Sequence, residues 1–316
     1  MSNPNQPISQ KLIDKTPFEG LNILDDSILN NLQGRHPCSK CGKSRKYYCY
    51  SCYIPLKELD DKLPRIKLPV KIDIIKHKHE IDGKSTSAHA AIIAPDDVKV
   101  YTYPDIPDYV NENVILIFPS YFSIEVSQLF NNNYEDIKDI KTTSTTELPK
   151  GYNKTTLRRY ASIQHDKVSR SEQLKELPIT KAIFIDSTWT QSKSIYKDDR
   201  IRNLPSVVLQ NRISQFWRHQ KGSPRWYLAT IEAIHQFLLE IHINAWGVHP
   251  EYRGLSKCFN ENSLLHLDEF TIPNGNIESA YNGQYDNLLF FFKHMYYLIH
   301  SYYDHDNLYA YKRRLM

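Results

Sequence analysis

Short apolar runs separated by polar stretches dominate the chain. Five of them predict strands: Val70–Ile75, Ala90–Ile93, Val114–Phe118, Ala182–Ile185 and Ser206–Leu209. Most are continuous rather than alternating, the pattern of strands covered on both faces, as in a parallel sheet. A longer period marks the helices. Ile231, Ile234 and Ile241, with Trp226 or Tyr227 and Phe237 or Leu238, recur at helical spacing over Pro224–Ile241, and Pro224 suits a first helical turn. Shorter helices are predicted at Ile124–Phe130 and Gln191–Tyr196, with an aromatic-rich closing helix at Phe290–Tyr303. Strands alternating with helices predict an α/β fold with a mainly parallel sheet.

The polar stretches divide this pattern into regions. Residues 1–30 read as a flexible segment with a short docking helix near Asp25–Leu32, residues 31–58 as a minidomain, and residues 59–316 as the α/β domain. Pro55–Pro69 is a proline-punctuated linker. Residues 131–150, with an Asn triplet and a Thr-rich run, are a low-complexity loop. The apolar tract Leu288–Ile299 is broken by Lys293 and His294, so it reads as a buried helix, and no run approaches membrane-spanning length. No signal-like N-terminus precedes the fold, so a soluble intracellular chain with no membrane partner is expected.

Composition adds little by itself. A hydrophobic fraction of 41% over 316 residues supports a substantial core, and 40 basic against 36 acidic residues give a net charge of only +4. That balance does not demand a polyanion. The local distribution is more informative.

Four of the five cysteines form Cys38-x-x-Cys41 and Cys49-x-x-Cys52. Two such turns bring four thiolates onto one tetrahedral ion, which suits structural zinc. Disulfides or redox pairs are weaker readings without a secretory signal or a flanking βαβ pattern. So short a segment would fold through the metal. Cys258 stands apart as a small buried apolar side chain. Lys40, Lys43, Arg45 and Lys46 interleave with Tyr47, Tyr48, Tyr50 and Tyr53, which is either an RNA-binding face or a solvated basic one packed by tyrosines.

Chemistry gathers at predicted strand ends, where open α/β sheets bind their ligands. Lys181–Ile185 runs into Asp186-Ser187-Thr188-Trp189, which places a carboxylate, two hydroxyls and an indole together. The same residues also fit a helix cap followed by a core tryptophan. Phe118-Pro119-Ser120 and Leu209-Gln210 leave two neighbouring strands, and Thr230 and Glu232 open a helix. No glycine-rich phosphate loop occurs. Basic clusters at Lys150, Lys154, Arg158 and Arg159, and from Arg200 through Arg202, Arg212, Arg218 and Lys221 to Arg225, read either as an RNA track or as dispersed surface charge.

These motifs, in order, resemble the DTW-domain family of tRNA-uridine aminocarboxypropyltransferases over about Pro37–Ile299. They are the cysteine knuckles, His77–Ser87, Phe118-Pro119-Ser120, Asp186-Ser187-Thr188-Trp189, Thr230-Ile231-Glu232-Ala233, and Tyr281-Asn282-Gly283-Gln284-Tyr285-Asp286-Asn287-Leu288. The last block is similar to the eukaryotic type-one branch. Ala229 departs from the serine common in the family at that position.

The resemblance implies a knotted SPOUT-like core that binds S-adenosylmethionine. It also implies transfer of the 3-amino-3-carboxypropyl group to N3 of a tRNA D-loop uridine, release of methylthioadenosine, and residence in the nucleus, with the cytoplasm as the other option. On that reading Phe118, Pro119, Ser120, Asp186, Ser187, Thr188, Trp189, Leu209, Gln210, Thr230 and Glu232 line the cofactor site. Asp186 is either the base or the acceptor for the cofactor ammonium. Lys43, Arg45, Arg158, Arg159, Arg212 and Arg218 meet tRNA, and Cys38, Cys41, Cys49 and Cys52 hold zinc. An RNA methyltransferase on a similar fold and a zinc-ribbon RNA-binding adaptor are the competing functions. Oligomeric state is left open.

Overall fold

A computed structural model describes residues 15–110, 112–120, 123–130, 177–220, 222–259 and 277–313. Its centre is a six-stranded sheet in the order β6-β5-β9-β7-β10-β8. The strands are β5 (Lys71–His77), β6 (Val98–Tyr103), β7 (Val114–Ile117), β8 (Ile124–Glu125), β9 (Lys181–Asp186) and β10 (Ser206–Val208). Every pairing in it is parallel. Strand β9 enters late in the chain yet lies between β5 and β7. The sheet is therefore built by insertion, not by adding strands outward.

Both faces of the sheet are covered, which explains the apolar runs. Ile72, Ile74, Ile115, Ala182 and Phe184 face one cluster; Ile75, Leu116 and Ile183 alternate onto the other. The first face carries α2 (Ser87–Ile93), α5 (Thr230–Trp246) and α7 (Phe290–Tyr302), while α3 (Trp189–Tyr196) and α4 (Asp199–Arg202) pack on the second through Ile195 and Ile201. Among the described residues the other α-helices are the single turns α1 (Ser27–Asn30) and α6 (Leu255–Cys258).

Several predicted elements change. Ala90–Ile93 is the end of helix α2, not a strand; a four-residue apolar run carries no period that separates the two. The true neighbour of β5 is Val98–Tyr103, where Lys99 and Thr102 are exposed on an edge strand. Helix α5 begins at Thr230, after a turn closed by Tyr227 N–H on Pro224 O at 3.3 Å. Ile124–Phe130 divides into the short β8 and a 3-10 turn. Residues 15–30, expected within a flexible segment, lie against the core through Phe18, Leu21 and Leu29. Leu56, Leu59, Leu63 and Leu68 likewise bury the expected linker. The low-complexity loop at 131–150 lies outside the described residues.

The cysteine segment forms two small antiparallel pairs, β1 (His36–Pro37) with β2 (Ser44–Arg45) and β3 (Tyr48–Cys49) with β4 (Ile54–Pro55). It is bolted to the α/β core by two tyrosines. Tyr48 OH meets His89 Nε2 of α2 at 2.7 Å, and Tyr47 OH meets His294 Nε2 of α7 at 3.0 Å.

Candidate active site

The carboxyl ends of β5 and β9 meet at Lys76, whose register partner is Asp186. Asp186 is buried, and each of its oxygens is held. Ser85 Oγ donates to Oδ2 and Thr230 Oγ1 donates to Oδ1, both at 2.6 Å. Its position at the opening of α5 also favours an anion, since a helix N-terminus carries partial positive charge.

The start of α5 is seated without help from Ala229, which has no side-chain acceptor. Thr86 Oγ1 accepts from Ile231 N–H at 3.1 Å, so a residue of another element supplies the cap. Glu232 supplies the rest. It is fully buried and accepts from Ala229 N–H at 2.9 Å, Ser214 Oγ at 2.7 Å and Gln215 N–H at 2.7 Å. Glu232 was expected to contact the cofactor. Its oxygens are engaged by these three protein donors, which tie the start of the helix to residues 214–215.

Trp189 opens α3 at the exit of β9 and remains 38% exposed. Its ring lies 4.3 Å from that of Tyr227 and 6.1 Å from that of Phe118, which stacks on Tyr196 at 4.6 Å. These rings form an aromatic wall. Thr188 takes the bland option: Oγ1 accepts from Gln191 N–H at 3.4 Å, and Gln191 Oε1 accepts from Thr188 N–H at 3.0 Å, a capping box. Ser187 is half-buried and donates to Thr188 O.

The segment after β7 adds hydroxyls that meet the first residue of β10. Ser120 Oγ pairs with Ser206 Oγ, and Ser123 Oγ lies 3.2 Å from Ser206 Oγ. Pro119 is exposed, and Leu209 and Gln210 are half-buried at the β10 exit. Gln210 N–H donates to Glu240 Oε1 at 2.9 Å, and Gln236 Nε2 donates to the same oxygen at 2.8 Å. Burial pushes the Glu240 carboxyl up to about 8.

The four sulfurs of Cys38, Cys41, Cys49 and Cys52 lie within 4.8 Å of one another, with Cys41 Sγ 3.7 Å from Cys49 Sγ. A sulfur tetrahedron with metal bonds of about 2.3 Å has edges of about 3.8 Å, so the arrangement can hold a metal ion. Between the second pair of cysteines, Ser51 Oγ donates to Asp82 Oδ2 at 2.8 Å, and Asp82 Oδ1 accepts from Lys76 Nζ. Tyr53 places its ring 5.9 Å from the same ammonium. The knuckle is thus wired to the 77–87 loop that carries Ser85.

The expected RNA contacts divide. Lys43 and Arg218 are exposed, and Arg218 Nη2 donates to Gly83 O at 3.3 Å. Arg45 is buried, with its guanidinium 3.9 Å over the Tyr50 ring and bonded to Ser44 O and Ser51 Oγ. Arg212 is also buried; Nη1 donates to His235 Nδ1 at 3.0 Å, and His235 Nε2 meets Asp286 Oδ1 at 2.9 Å. Both guanidiniums are thus engaged by partners within the protein. Arg158 and Arg159 lie outside the described residues. Lys76 was not noticed in the sequence, and Glu80, Asp82, Ser85 and Thr86 lay in the His77–Ser87 motif without being singled out as site residues. The Ser85-Thr86-Ser87 run before Ala88 was the available signal, because hydroxyl residues before an apolar run mark helix starts.

A DTW domain matches residues 46–300. Curated proteins named tRNA-uridine aminocarboxypropyltransferase 1 are similar along most of the chain. The Xenopus tropicalis protein is 36% identical over 301 residues, covering 92% of this chain and 88% of the relative. The Mus musculus protein is 36% identical over 305 residues (94% and 88%), and the Homo sapiens protein 36% over 306 residues (93% and 87%). No solved structure matches. With a domain match over most of its length and relatives alike over about nine-tenths of it, the chain belongs to the DTW-domain family.

Proposed function

We propose that this chain is a tRNA-uridine aminocarboxypropyltransferase. It moves the 3-amino-3-carboxypropyl group of S-adenosylmethionine to N3 of a D-loop uridine and releases methylthioadenosine. The observation that carries the reading is Asp186, clamped by Ser85 and Thr230 beside the exposed Trp189 wall at the strand exits of a DTW domain. Strand β9 lying between the earlier β5 and β7 supports a knotted SPOUT-like core.

The residues present suit both substrates. Asp186 is a fixed anion that can accept from the donor's ammonium while Ser85 and Thr230 keep it oriented. Phe118, Pro119, Ser120, Leu209 and Gln210, at neighbouring exits, would hold the rest of the donor through hydroxyl, backbone and ring contacts. When bound, the donor supplies a sulfonium-activated γ-carbon, and the protein's main contribution is to aim that carbon at the base. Trp189 offers a face on which an extruded uridine can stack, worth about 1–3 kcal/mol per base. Lys43 and Arg218 would meet phosphates. Zinc on the four cysteines would act structurally, since four thiolates leave no open coordination position.

The test is incubation of the purified chain with S-adenosylmethionine and unmodified tRNA, followed by nucleoside mass analysis. Aminocarboxypropyl-uridine with methylthioadenosine is expected. Methyluridine with S-adenosylhomocysteine would replace the reading by methyl transfer, and absence of any cofactor binding would leave an adaptor.

A further inference from the structure

The mechanism above needs a group to take the proton from uridine N3, and Asp186 is poorly suited. Both of its oxygens are already engaged by the Ser85 and Thr230 hydroxyls at 2.6 Å, which fixes the carboxylate in place as an orienting acceptor. Another carboxylate, Glu80, lies in the 77–87 loop that carries Ser85. We infer that Glu80 is the general base of the transfer. The inference rests on the reading in the preceding section.

Its placement comes from the 77–87 loop. Strand β5 ends at His77 beside the end of β9, and the loop turns back at once, with Glu80 N–H on His77 O at 2.9 Å. The next turn is closed by Lys84 N–H on Ile81 O at 2.8 Å, and Ser85 then reaches Asp186. Glu80 is half-buried, whereas His79 and Ile81 on either side are exposed, so of the three it is the side chain turned towards the protein. Among the described residues no side chain forms a hydrogen bond or ion pair with its carboxylate, whereas Asp82 two residues on is held by Lys76 and Ser51. Burial raises its proton affinity above the ordinary carboxylate range, and the Asp186 charge raises it further; Lys84 and Lys76 oppose this. Such a carboxylate is a better proton acceptor at neutral pH than an ordinary one.

In the step, uridine N3 forms a bond to the donor's γ-carbon as the carbon–sulfur bond breaks. The bonding pair leaves with sulfur, which becomes the neutral thioether of methylthioadenosine, and the N3 proton passes to a Glu80 carboxylate oxygen. Charge balances, because the sulfonium and the carboxylate are both neutralised.

The experiment compares wild type with Glu80→Gln for donor affinity by calorimetry, single-turnover rate on tRNA, and the pH profile of that rate. Glu80→Gln should lower the rate about 100- to 10,000-fold, keep the donor Kd within about threefold, and remove the rise in rate with pH on the acid limb. A rate near wild type overturns the proposal. So does a loss that saturating donor restores, because Glu80 would then be a binding group. Should Glu80→Gln fail to fold, Glu80→Asp decides: a retracted carboxylate should slow turnover and retain the acid limb, and an unchanged rate overturns the proposal. If wild type itself yields no aminocarboxypropyl-uridine, the underlying function fails and not merely the role of Glu80.

Discussion

Thr230 Oγ1 lies 2.6 Å from Asp186 Oδ1, joining the first turn of α5 to the end of β9. Thr230→Val keeps the branched shape and removes the donor. A hydrogen bond to a charged group contributes about 1.5–3 kcal/mol, so thermal melting should show a few degrees of loss. Donor affinity should fall as well, because Asp186 loses one of its two anchors. An unchanged melt and an unchanged Kd would mean that the contact holds nothing.

Asp186→Asn tests the role of the carboxylate itself. If Asp186 accepts from the donor's ammonium, removing its charge should weaken donor binding about 10- to 100-fold, the equivalent of one charged hydrogen bond. Saturating donor should then recover most of the rate. A turnover defect at saturating donor, with normal affinity, would instead make Asp186 the base and displace Glu80 from that role.

One zinc per chain is expected on Cys38, Cys41, Cys49 and Cys52, and elemental analysis of tag-free protein checks it. Cys41→Ala should lose the metal. Because Tyr47 and Tyr48 bolt the knuckle to α7 and α2, the damage should spread into the core, which hydrogen exchange at His89 and His294 would report. Asp82→Asn removes the charge that links Ser51 to Lys76. It should leave zinc content intact and increase exchange in the 77–87 loop.

Glu240 yields a pH prediction. Its folded pKa of about 8 exceeds the ordinary 4.5, so the native state binds the extra proton. Stability is therefore full below about 4.5 and falls as pH rises towards 8, by at most about 1.4 kcal/mol per unit. Both backbone and Gln236 donors converge on Oε1, leaving Oε2 to carry the proton. Glu240→Gln mimics that protonated form and should remove this slope from denaturation measured between pH 5 and 8.

Arg218 and Arg212 should behave oppositely. Arg218→Ala should weaken tRNA binding and reduce the salt slope by a little under 1, the signature of one lost phosphate contact. Arg212→Ala removes the donor to His235 Nδ1 and leaves that buried acceptor unmatched, and should lower stability by about 1–3 kcal/mol before any effect on RNA is measured.

The local chemistry of this chain was legible in its residue order. Doubly covered strands need continuous apolar runs, so β7, β9 and β10 and the chemistry at their exits could be read directly. The knuckles could be read because four thiolates at that spacing have few other uses. Tertiary structure decided what each side chain faces. Residue type does not reveal burial, and Arg45, Arg212 and Glu232 turned inward because partners far along the chain, or across a turn, meet their charges. Nor could the sequence show that Thr86 caps a helix opening 144 residues later, or that Ser85 clamps Asp186, since both contacts span more than 100 residues. Periodicity reports a segment's own geometry. The insertion of β9 between β5 and β7 is what brings the 77–87 loop, Asp186 and α5 to one place, and that ordering exists only once the sheet is assembled.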